Sequence, residues 1–386
     1  MKFIPYGKQN INKFDKKLVL DSLSNDLITT GPLVKNFEKE INKFLKCKHS
    51  FVCNSGTSAI HLALLSVGLK KGDIILMPAI NFIASYNMAK IIGLKVYLVD
   101  VDKYTGQVTP TKVIECIKKN KLKKIKALLI MFNGGYPENI IEFKKIKKKY
   151  NFYIIEDACH AFGAGYKIKK KFYRVGSCNH SDVSTFSLHP LKTITTGEGG
   201  IVTTNISKIA KNIQLFRNHG IIRKNKKHWQ YDVSKNGFNY RLSDINCALG
   251  ASQLKRINLF LRRRKKIYNN YVKELKYLNL NLKIIKYSKD IKPSFHLFII
   301  NIDFKKIKSN KSDFIKFLLA NKIIVQQHYI PIYKFTVYSE RKNLFPDAEN
   351  YFDNSISLPI FVNLSIKEQK KIIKTIKKYF IRLPKI

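Results

Sequence analysis

Short apolar runs alternate with amphipathic helical patterns through the first part of the chain, and this alternation narrows the folds that the chain can adopt. The runs are HSFVC (49–53), DIILM (73–77), KVYLVDV (95–101), KALLIMF (126–132) and FYIIE (152–156), and the helical patterns between them cover 57–67, 82–92, 109–119 and 140–150. Strands that are joined by helices of this length form right-handed βαβ units, in which the strands lie parallel. The chain up to Asp157 therefore predicts an α/β fold with a mainly parallel sheet.

The strand–helix rhythm changes after Asp157. Two further apolar runs, DVSTFSL (182–188) and GGIVTT (199–204), follow with no full helix between them. They bring the predicted sheet to about seven strands, of which the last ones break the simple repeat. Beyond them, the basic and polar stretch 223–237 predicts a long surface loop.

The C-terminal part predicts a second, smaller unit. Residues 243–275 have the periodicity of one or two long helices, and a strand-like run, HLFIINI (296–302), follows. A closing helix begins at a capping box formed by Ser365 and Glu368. Its predicted buried face consists of Ile366, Ile372, Ile373, Ile376 and Phe380. We therefore expect a large domain of residues 1–248 with an N-terminal arm, and a small C-terminal α/β domain of residues 249–386.

The formal net charge of +46 comes from 72 Lys and Arg residues against 26 Asp and Glu residues. Such an excess can indicate binding to nucleic acid, to an anionic membrane or to a polyanionic substrate. Here the lysines are spread over nearly every helical pattern, and they fill the outer faces of stretches such as 144–150 and 370–380. We interpret them as solvated faces whose positive field helps to attract a diphosphate-linked substrate, and we expect no nucleic-acid partner.

The sequence indicates a cytoplasmic protein without a membrane partner. The first ten residues lack the apolar region of a signal peptide, and no apolar run has the length that a bilayer requires. The six cysteines are scattered without a C-x-x-C pair. They are typical of reduced thiols, and we expect neither a disulfide framework nor a metal site.

Two residues have the properties of a catalytic pair. Asp157 ends the apolar strand FYIIED, and the carboxyl ends of parallel strands face the ligand crevice. A helix cap for the following segment explains this aspartate equally well. Lys192 follows the strand STFSL among small and apolar residues, and the GEGG sequence after it allows the backbone to approach a ligand closely. A desolvated lysine loses proton affinity and becomes a nucleophile that can form an imine with an aldehyde. Pyridoxal phosphate (PLP) requires such a lysine, together with a carboxylate that keeps its pyridine nitrogen protonated.

Two further features fit a flat, phosphorylated cofactor. The segment CNSGTSAIHLAL (53–64) reads as a strand, a tight turn and a helix, whose first amides and the hydroxyls of Ser55, Thr57 and Ser58 could cradle a phosphate. The same turn could serve only as a helix cap. Phe82 follows an apolar strand and could stack on a cofactor ring, although ordinary core packing explains it equally well.

Together these segments resemble one family. The ordered set SGTSAIHLAL, PAINFIAS, EDACHAFGA, FSLHPLKTITTGEGG, NHGI, NYRLSDINCALGASQL and HYIPIY resembles the DegT/StrS-type aminotransferases that act on sugar nucleotides, from Ile4 to about Leu364. The segments IPYGKQ, TTGP and VQQHYIPIY resemble most closely the transaminases of pseudaminic acid biosynthesis. The resemblance implies a fold-type-I PLP enzyme with a seven-stranded sheet in the large domain.

The resemblance also implies a role for individual residues. Lys192 would bind PLP covalently, and Asp157 would pair with the pyridine nitrogen. His160 would lie near the phenolic oxygen of the cofactor, and Phe82 would stack on its ring. Gly56, Thr57 and Ser187 would hold the phosphate, with Asn239 from a second subunit completing the site of a homodimer. Tyr6, Thr29, Gln327, His328, Tyr329 and Ile330 would contact the nucleotide sugar.

The implied reaction moves an amino group from glutamate to the C4 keto group of a UDP-linked 4-keto-6-deoxy-N-acetylhexosamine. Another nucleotide-linked keto sugar, of perosamine type or with a C3 keto group, remains open, as does the product's stereochemistry. A PLP sugar dehydratase would carry His in place of Lys192. A regulatory or nucleic-acid-binding protein is favoured only by the charge. The sequence departs from the family at Phe132, where His is frequent, and at Leu188, where Phe is usual.

Overall fold

The computed structural model describes residues 3–223, 229–276, 282–338 and 345–383. The fifteen strands of this part are β1 His49–Cys53, β2 Ile74–Pro78, β3 Lys95–Val99, β4 Ile125–Met131, β5 Tyr153–Asp157, β6 Gly165–Ile168, β7 Lys171–Arg174, β8 Val183–Ser187, β9 Gly200–Thr204, β10 Ile221–Ile222, β11 Asp232–Val233, β12 Leu282–Ile284, β13 Ile291–Lys292, β14 Phe298–Ile302 and β15 Ser355–Leu358. The twelve α-helices in the same residues are α1 Lys13–Leu23, α2 Pro32–Leu45, α3 Gly56–Ser66, α4 Ala84–Ile92, α5 Pro110–Lys119, α6 Ile140–Tyr150, α7 Ser207–Arg217, α8 Asp244–Lys255, α9 Ile257–Leu275, α10 Lys311–Ala320, α11 Pro346–Asn354 and α12 Ile366–Ile381.

The main sheet has seven strands in the order β1-β9-β8-β5-β4-β2-β3. The four pairs from β8 to β3 are parallel, while β9 runs antiparallel to both β8 and β1. The prediction of a seven-stranded, mainly parallel sheet is confirmed. β9 is the strand that breaks the repeat, because it follows β8 without an intervening helix.

Both faces of this sheet are covered. Along β4, Leu129 packs with α3 and α4, whereas its neighbours Leu128 and Ile130 pack into a second apolar cluster together with residues of α2, α5 and α6. Successive side chains of a strand point to opposite faces, so a strand that is covered on both sides is apolar along most of its length. This double burial explains why the runs in the sequence are continuous rather than alternating.

The C-terminal residues form a smaller α/β unit around the antiparallel sheet β12-β14-β15. The predicted capping box at the start of α12 is present, with the Ser365 side chain accepting from the Glu368 amide and the Glu368 carboxylate accepting from the Ser365 amide. Ile372, Ile373, Ile376 and Phe380 are buried as expected. The prediction for Ile366 is wrong: this side chain is 65% exposed, because it starts the helix ahead of the turns that meet the core.

Three features differ from the prediction or extend it. The helical stretch 243–275 consists of two helices, α8 and α9. A third sheet of β13, β6 and β7 has no counterpart in the predicted elements. In the predicted surface loop 223–237, β11 pairs with β10, and residues 224–228 lie outside the described residues.

The proposed domain boundary after residue 248 falls within α8, which packs against α1 and α2, and the division into two domains stays a proposal. Among the described residues no helix has the length and apolar character of a membrane span.

Candidate active site

The neighbouring strands β5 and β8 bring the predicted catalytic residues to one edge of the sheet. The two strands are parallel, with Asp157 opposite Thr185, and both end at the same edge. Asp157 is the last residue of β5, and Lys192 follows the end of β8. Their side chains line a cavity of about 550 Å³. The strand-end position therefore brings the two residues into one cavity, as the sequence predicts.

This cavity collects all predicted site residues except Thr29 and Asn239. It is lined by Tyr6, Gly56, Thr57, Phe82, Asp157, His160, Ser187, Lys192, Gln327, His328, Tyr329 and Ile330. These residues come from the N-terminal segment, from the segments at the ends of the main-sheet strands and from the loop after α10. The cavity thus lies where the large sheet meets the C-terminal unit.

The Asp157 carboxylate is buried and fixed by two donors. The Ser85 hydroxyl donates to Oδ2 and the Cys159 amide donates to Oδ1, each at 3.2 Å. Ser85 in turn accepts from the Asn81 side chain at 3.2 Å. The bond to Cys159 stabilises a turn, and the described segment between β5 and β6 contains no helix that Asp157 could cap. A carboxylate has about four acceptor positions, so Asp157 can still receive a donor from a ligand in the cavity.

The Lys192 side chain faces the cavity in surroundings that disfavour its charge. Burial is the main cause that lowers the pKa of Lys192, while electrostatic interactions with Cys159 and Asp157 act in the opposite direction. Its backbone is held by an N–H bond to His189 O at 2.9 Å. A lysine with a lowered pKa carries a larger fraction of free amine and is a better nucleophile.

The turn before α3 has the form of a phosphate cradle. Ser55 is the N-cap of α3 and accepts from the Ser58 amide at 3.0 Å, which leaves the Gly56 and Thr57 amides at the helix start without an intrahelical acceptor. A Cβ on Gly56 would lie 2.8 Å from Ser187 Cβ, so glycine is required for this close approach. The Ser58 hydroxyl instead donates to Asn54 at 2.6 Å and does not line the cavity.

Aromatic side chains form the remaining walls. Phe82 is 52% exposed and faces the cavity, which argues against ordinary core packing for this residue. The Tyr329 ring lies 5.7 Å from Phe82 and stacks on His160 at the same distance. The His160 ring also contacts the His296 ring, with 4.3 Å between centroids. Flat side chains therefore border the space between Asp157 and the loop that carries Tyr329.

The loop Gln326–Ile330 is tied to the C-terminal unit by both backbone and side-chain bonds. The amides of Gln326 and Ser357 bond to each other's carbonyl oxygens, at 3.2 and 2.8 Å. His328 Nδ1 lies 2.9 Å from the Ser357 hydroxyl, and the Tyr351 hydroxyl donates to His328 O at 2.8 Å. Burial and the Lys192 charge lower the pKa of His328 to about 3. The loop therefore presents a neutral imidazole to the cavity at physiological pH.

Thr29 and Asn239 do not line the cavity of their own chain. Thr29 is exposed and forms a bridge with Ser243. Asn239 is also exposed, and its carbonyl oxygen accepts from the Asn54 side chain at 3.3 Å. Asn54 thereby links the segment of Asn239 to the turn before α3, which has the form of a phosphate cradle. The roles that the resemblance implies for Thr29 and Asn239 stay predictions.

Several cavity residues were not predicted from the sequence. His189, Glu198 and His296 line the cavity, and Ser85 orients Asp157 from behind. The position of His189 and Glu198 inside the motif stretch 187–200, next to Lys192, was a usable signal for both residues. The sequence signal for His296 was weaker, since this residue only precedes a buried strand. The two departures from the family, Phe132 and Leu188, are buried in the apolar core and do not line the cavity.

Comparison with known proteins identifies the class of enzyme that this fold and site define. Residues 9–377 match the model of the DegT/DnrJ/EryC1/StrS aminotransferase family, and the chain belongs to this family. A Campylobacter jejuni UDP-4-amino-4,6-dideoxy-N-acetyl-beta-L-altrosamine transaminase is 36% identical over 369 residues, which is 95% of each chain. The structure of Helicobacter pylori PseC, an aminotransferase involved in the biosynthesis of pseudoaminic acid, superposes with a TM-score of 0.88 at 29% identity and covers 98% of this chain and 100% of its own.

A second solved structure bears on the cofactor. It comes from Streptococcus pneumoniae and is described as a sugar aminotransferase in its PLP form; it has a TM-score of 0.89 at 25% identity and covers 98% of this chain and 99% of its own. The chain is thus a PLP-dependent sugar aminotransferase of fold type I.

The residues of the cavity fit PLP. A lysine with a lowered pKa, a buried carboxylate with free acceptor capacity and the cradle at Gly56 match, respectively, the aldehyde, the pyridine nitrogen and the phosphate of the cofactor. The exposed ring of Phe82 borders the same space.

Proposed function

We propose that this enzyme transfers an amino group from glutamate to the C4 keto group of a UDP-linked 4-keto-6-deoxy-N-acetylhexosamine, in a cytoplasmic pathway of the pseudaminic acid type. The observation that carries the proposal is that Asp157 at the end of β5 and Lys192 after the adjacent strand β8 line one cavity together with the turn before α3. The relatives that act on altrosamine and in pseudoaminic acid biosynthesis support this choice of sugar. The net charge of +46 supports an anionic substrate.

In this proposal each residue has one chemical task. Bound PLP supplies an electron sink and carries the amino group between the two substrates. Lys192 Nζ takes the proton from the carbon that bears the amino group of glutamate, and in the second half it returns a proton to the sugar C4. Asp157 holds a negative charge opposite the pyridine nitrogen, and this charge keeps that nitrogen protonated. The amides of Gly56 and Thr57, together with Ser187, bind the phosphate.

The remaining predicted residues act in binding. His160 borders the phenolic side of the cofactor, and Phe82 stacks on its ring. Tyr6, Thr29 and the loop residues Gln327, His328, Tyr329 and Ile330 contact the nucleotide sugar, and Asn239 completes the phosphate site of a partner subunit. The exposure of Asn239 supports a role outside its own cavity. The active unit in this proposal is a homodimer.

The test is a substrate panel. Purified holoenzyme receives glutamate together with UDP-, dTDP- or GDP-linked keto sugars that carry the keto group at C3 or C4, and the amino sugar is identified by NMR. We expect one 2-oxoglutarate for each 4-amino sugar formed from the UDP-linked 4-keto-6-deoxy sugar. Lys192→Ala is the control. Amination at C3, or preference for another nucleotide, would replace the proposed substrate; no amination of any sugar would contradict the proposed function.

A further inference from the structure

The position of the proton on the His160 ring follows from a hydrogen bond that the ring accepts. The Gly134 backbone amide donates to His160 Nδ1 at 3.3 Å. A backbone N–H can only donate, so Nδ1 must carry a lone pair and no proton. In a neutral imidazole the single proton then lies on Nε2. Gly134 has a φ of +72°, the left-handed conformation that glycine accepts, and the backbone there turns its amide toward the ring.

The same imidazole is held neutral by its surroundings. Burial is the main cause that lowers the pKa of His160 well below its usual range, and the charge of Lys192 and the rings of His296 and His328 add to it. His296 is in the same state for the same reason, with Arg264 as an additional positive neighbour. His160 therefore does not become a double donor at physiological pH.

The proton on His160 Nε2 faces the Tyr329 hydroxyl. Nε2 and Tyr329 Oη lie 2.8 Å apart, and since Nε2 carries the proton, Oη accepts. The phenol proton is then directed away from His160. Burial raises the pKa of Tyr329 well above its usual range, and Asp157 is the leading charge that adds to the effect. Tyr329 therefore keeps its proton while it lines the cavity beside Phe82 and Lys192.

We infer that Tyr329 is the hydrogen-bond donor of this cavity, with its hydroxyl proton oriented by His160 toward a ligand oxygen bound next to Lys192. The inference rests on the proposed function and extends it, because it gives Tyr329 a directed proton rather than a general contact with the nucleotide sugar. Two ligand oxygens have the required acceptor chemistry. One is the phenolic oxygen of the cofactor, and the other is the keto oxygen of the sugar, which becomes more basic as the amine attacks C4.

The first experiment tests the proton direction without any substrate. The holoenzyme is labelled with ¹⁵N-histidine, and the ring nitrogens are observed by NMR. We expect one neutral imidazole with a protonated Nε2 whose shift changes in Tyr329→Phe. Tyr333→Phe is the matched control, because Tyr333 lies four residues further along, is buried and does not line the cavity. A His160 ring that is protonated at Nδ1 or is cationic would overturn the inference.

The second experiment identifies the oxygen. The absorption spectrum of the bound cofactor, its affinity, and the rates of the glutamate and sugar half-reactions are compared for wild type, Tyr329→Phe and Tyr333→Phe. A shifted spectrum and weaker cofactor binding in Tyr329→Phe alone indicate the phenolic oxygen. A sugar half-reaction about tenfold or more slower, with an unchanged glutamate half-reaction, indicates the keto oxygen. If Tyr329→Phe changes none of these, the donor role is wrong. If wild type aminates no sugar, the proposed function fails, and the NMR and cofactor measurements still decide the role of Tyr329.

Discussion

Glu156 and Asp157 are consecutive residues at the end of β5, and their carboxyl groups serve opposite faces of the main sheet. Asp157 faces the cavity, where Ser85 and the Cys159 amide donate to it. Glu156 lies on the opposite face of the main sheet, where its carboxylate accepts a hydrogen bond from the Ser184 hydroxyl. Successive strand residues alternate between faces, so the end of β5 carries one carboxylate that lines the cavity and a second one that is enclosed in the protein. We therefore expect substitutions of Asp157 and of Glu156 to have different effects.

Asp157→Asn should retain PLP and lose most turnover. The amide has the shape of the carboxylate and can still accept from Ser85, but it has no negative charge to keep a proton on the pyridine nitrogen. We expect turnover on the order of 100-fold lower, which is typical for the loss of one preorganised electrostatic contact. The measurement is kcat with glutamate and the best sugar of the panel, with cofactor content determined by absorbance. Turnover near that of wild type would exclude the assigned role of Asp157.

Glu156→Gln should change the pH dependence of stability. Burial is the main cause that raises the pKa of Glu156 from 4.5 to about 7. Protonated Glu156 is the form that the fold favours, so its contribution is complete below pH 4.5 and is lost as the pH rises to about 7. Glutamine stays neutral and can accept from Ser184. Relative to wild type, the variant should therefore gain stability across this range, by at most about 1.4 kcal/mol per pH unit.

The quantity to measure is the difference in Tm between Glu156→Gln and wild type at pH 5, 6, 7 and 8. Glu142→Gln, at an exposed position in the first turn of α6, is the control and should show no such trend. A difference that stays constant from pH 5 to 8 would mean that Glu156 titrates as an ordinary carboxyl group.

The main sheet and the meeting of Asp157 and Lys192 in one cavity could be predicted because both depend on local signals. β1 has the bounds of its run, and β4 is displaced by one residue, since double burial forces continuous apolar sequence. The strand-end rule then places Asp157 and Lys192 at one edge without any knowledge of distant contacts. The cradle at Gly56 follows in the same way from a turn that opens a helix.

Features that depend on distant pairing could not be predicted. β13 pairs with β6 across more than a hundred residues, and both strands are short and partly polar. The rings of His160, His296 and His328 meet in the cavity from three separate segments, and no local pattern links them. Ile366 was misjudged because helical periodicity defines a face and does not say in which turn packing begins.

Lys192 should be the lysine that binds PLP. Purified wild type should be yellow and should lose that colour on borohydride treatment, with a pyridoxyl adduct on the peptide that contains Lys192. Lys192→Ala should fold, lose the adduct and be inactive, because among the residues that the structure describes no other lysine lines the cavity. Lys316→Ala removes an exposed lysine of α10 and should behave as wild type. An adduct on a different lysine would overturn the assignment.

The position of Asn239 makes a prediction about assembly. Its side chain is exposed and does not line the cavity of its own chain, while Asn54 ties its carbonyl oxygen to the phosphate turn. An asparagine amide is a neutral donor that suits a phosphate oxygen, and the resemblance places it in the partner's site. If it only orients the turn before Arg241, each subunit would work alone. Lys192→Ala and Asn239→Asp, each poorly active by itself, should then show no recovery when they are mixed.

A shared site predicts the opposite result for the same mixture. In a mixed dimer, the site that contains native Lys192 receives native Asn239 from the partner, while the other site has both substitutions. Each mixed dimer then has one working site, so its activity should reach up to about half of the activity of a wild-type dimer. Subunit exchange is followed independently with two affinity tags, so that absence of exchange is not mistaken for absence of complementation. Complete exchange without recovered activity would mean that each active site is built within one chain.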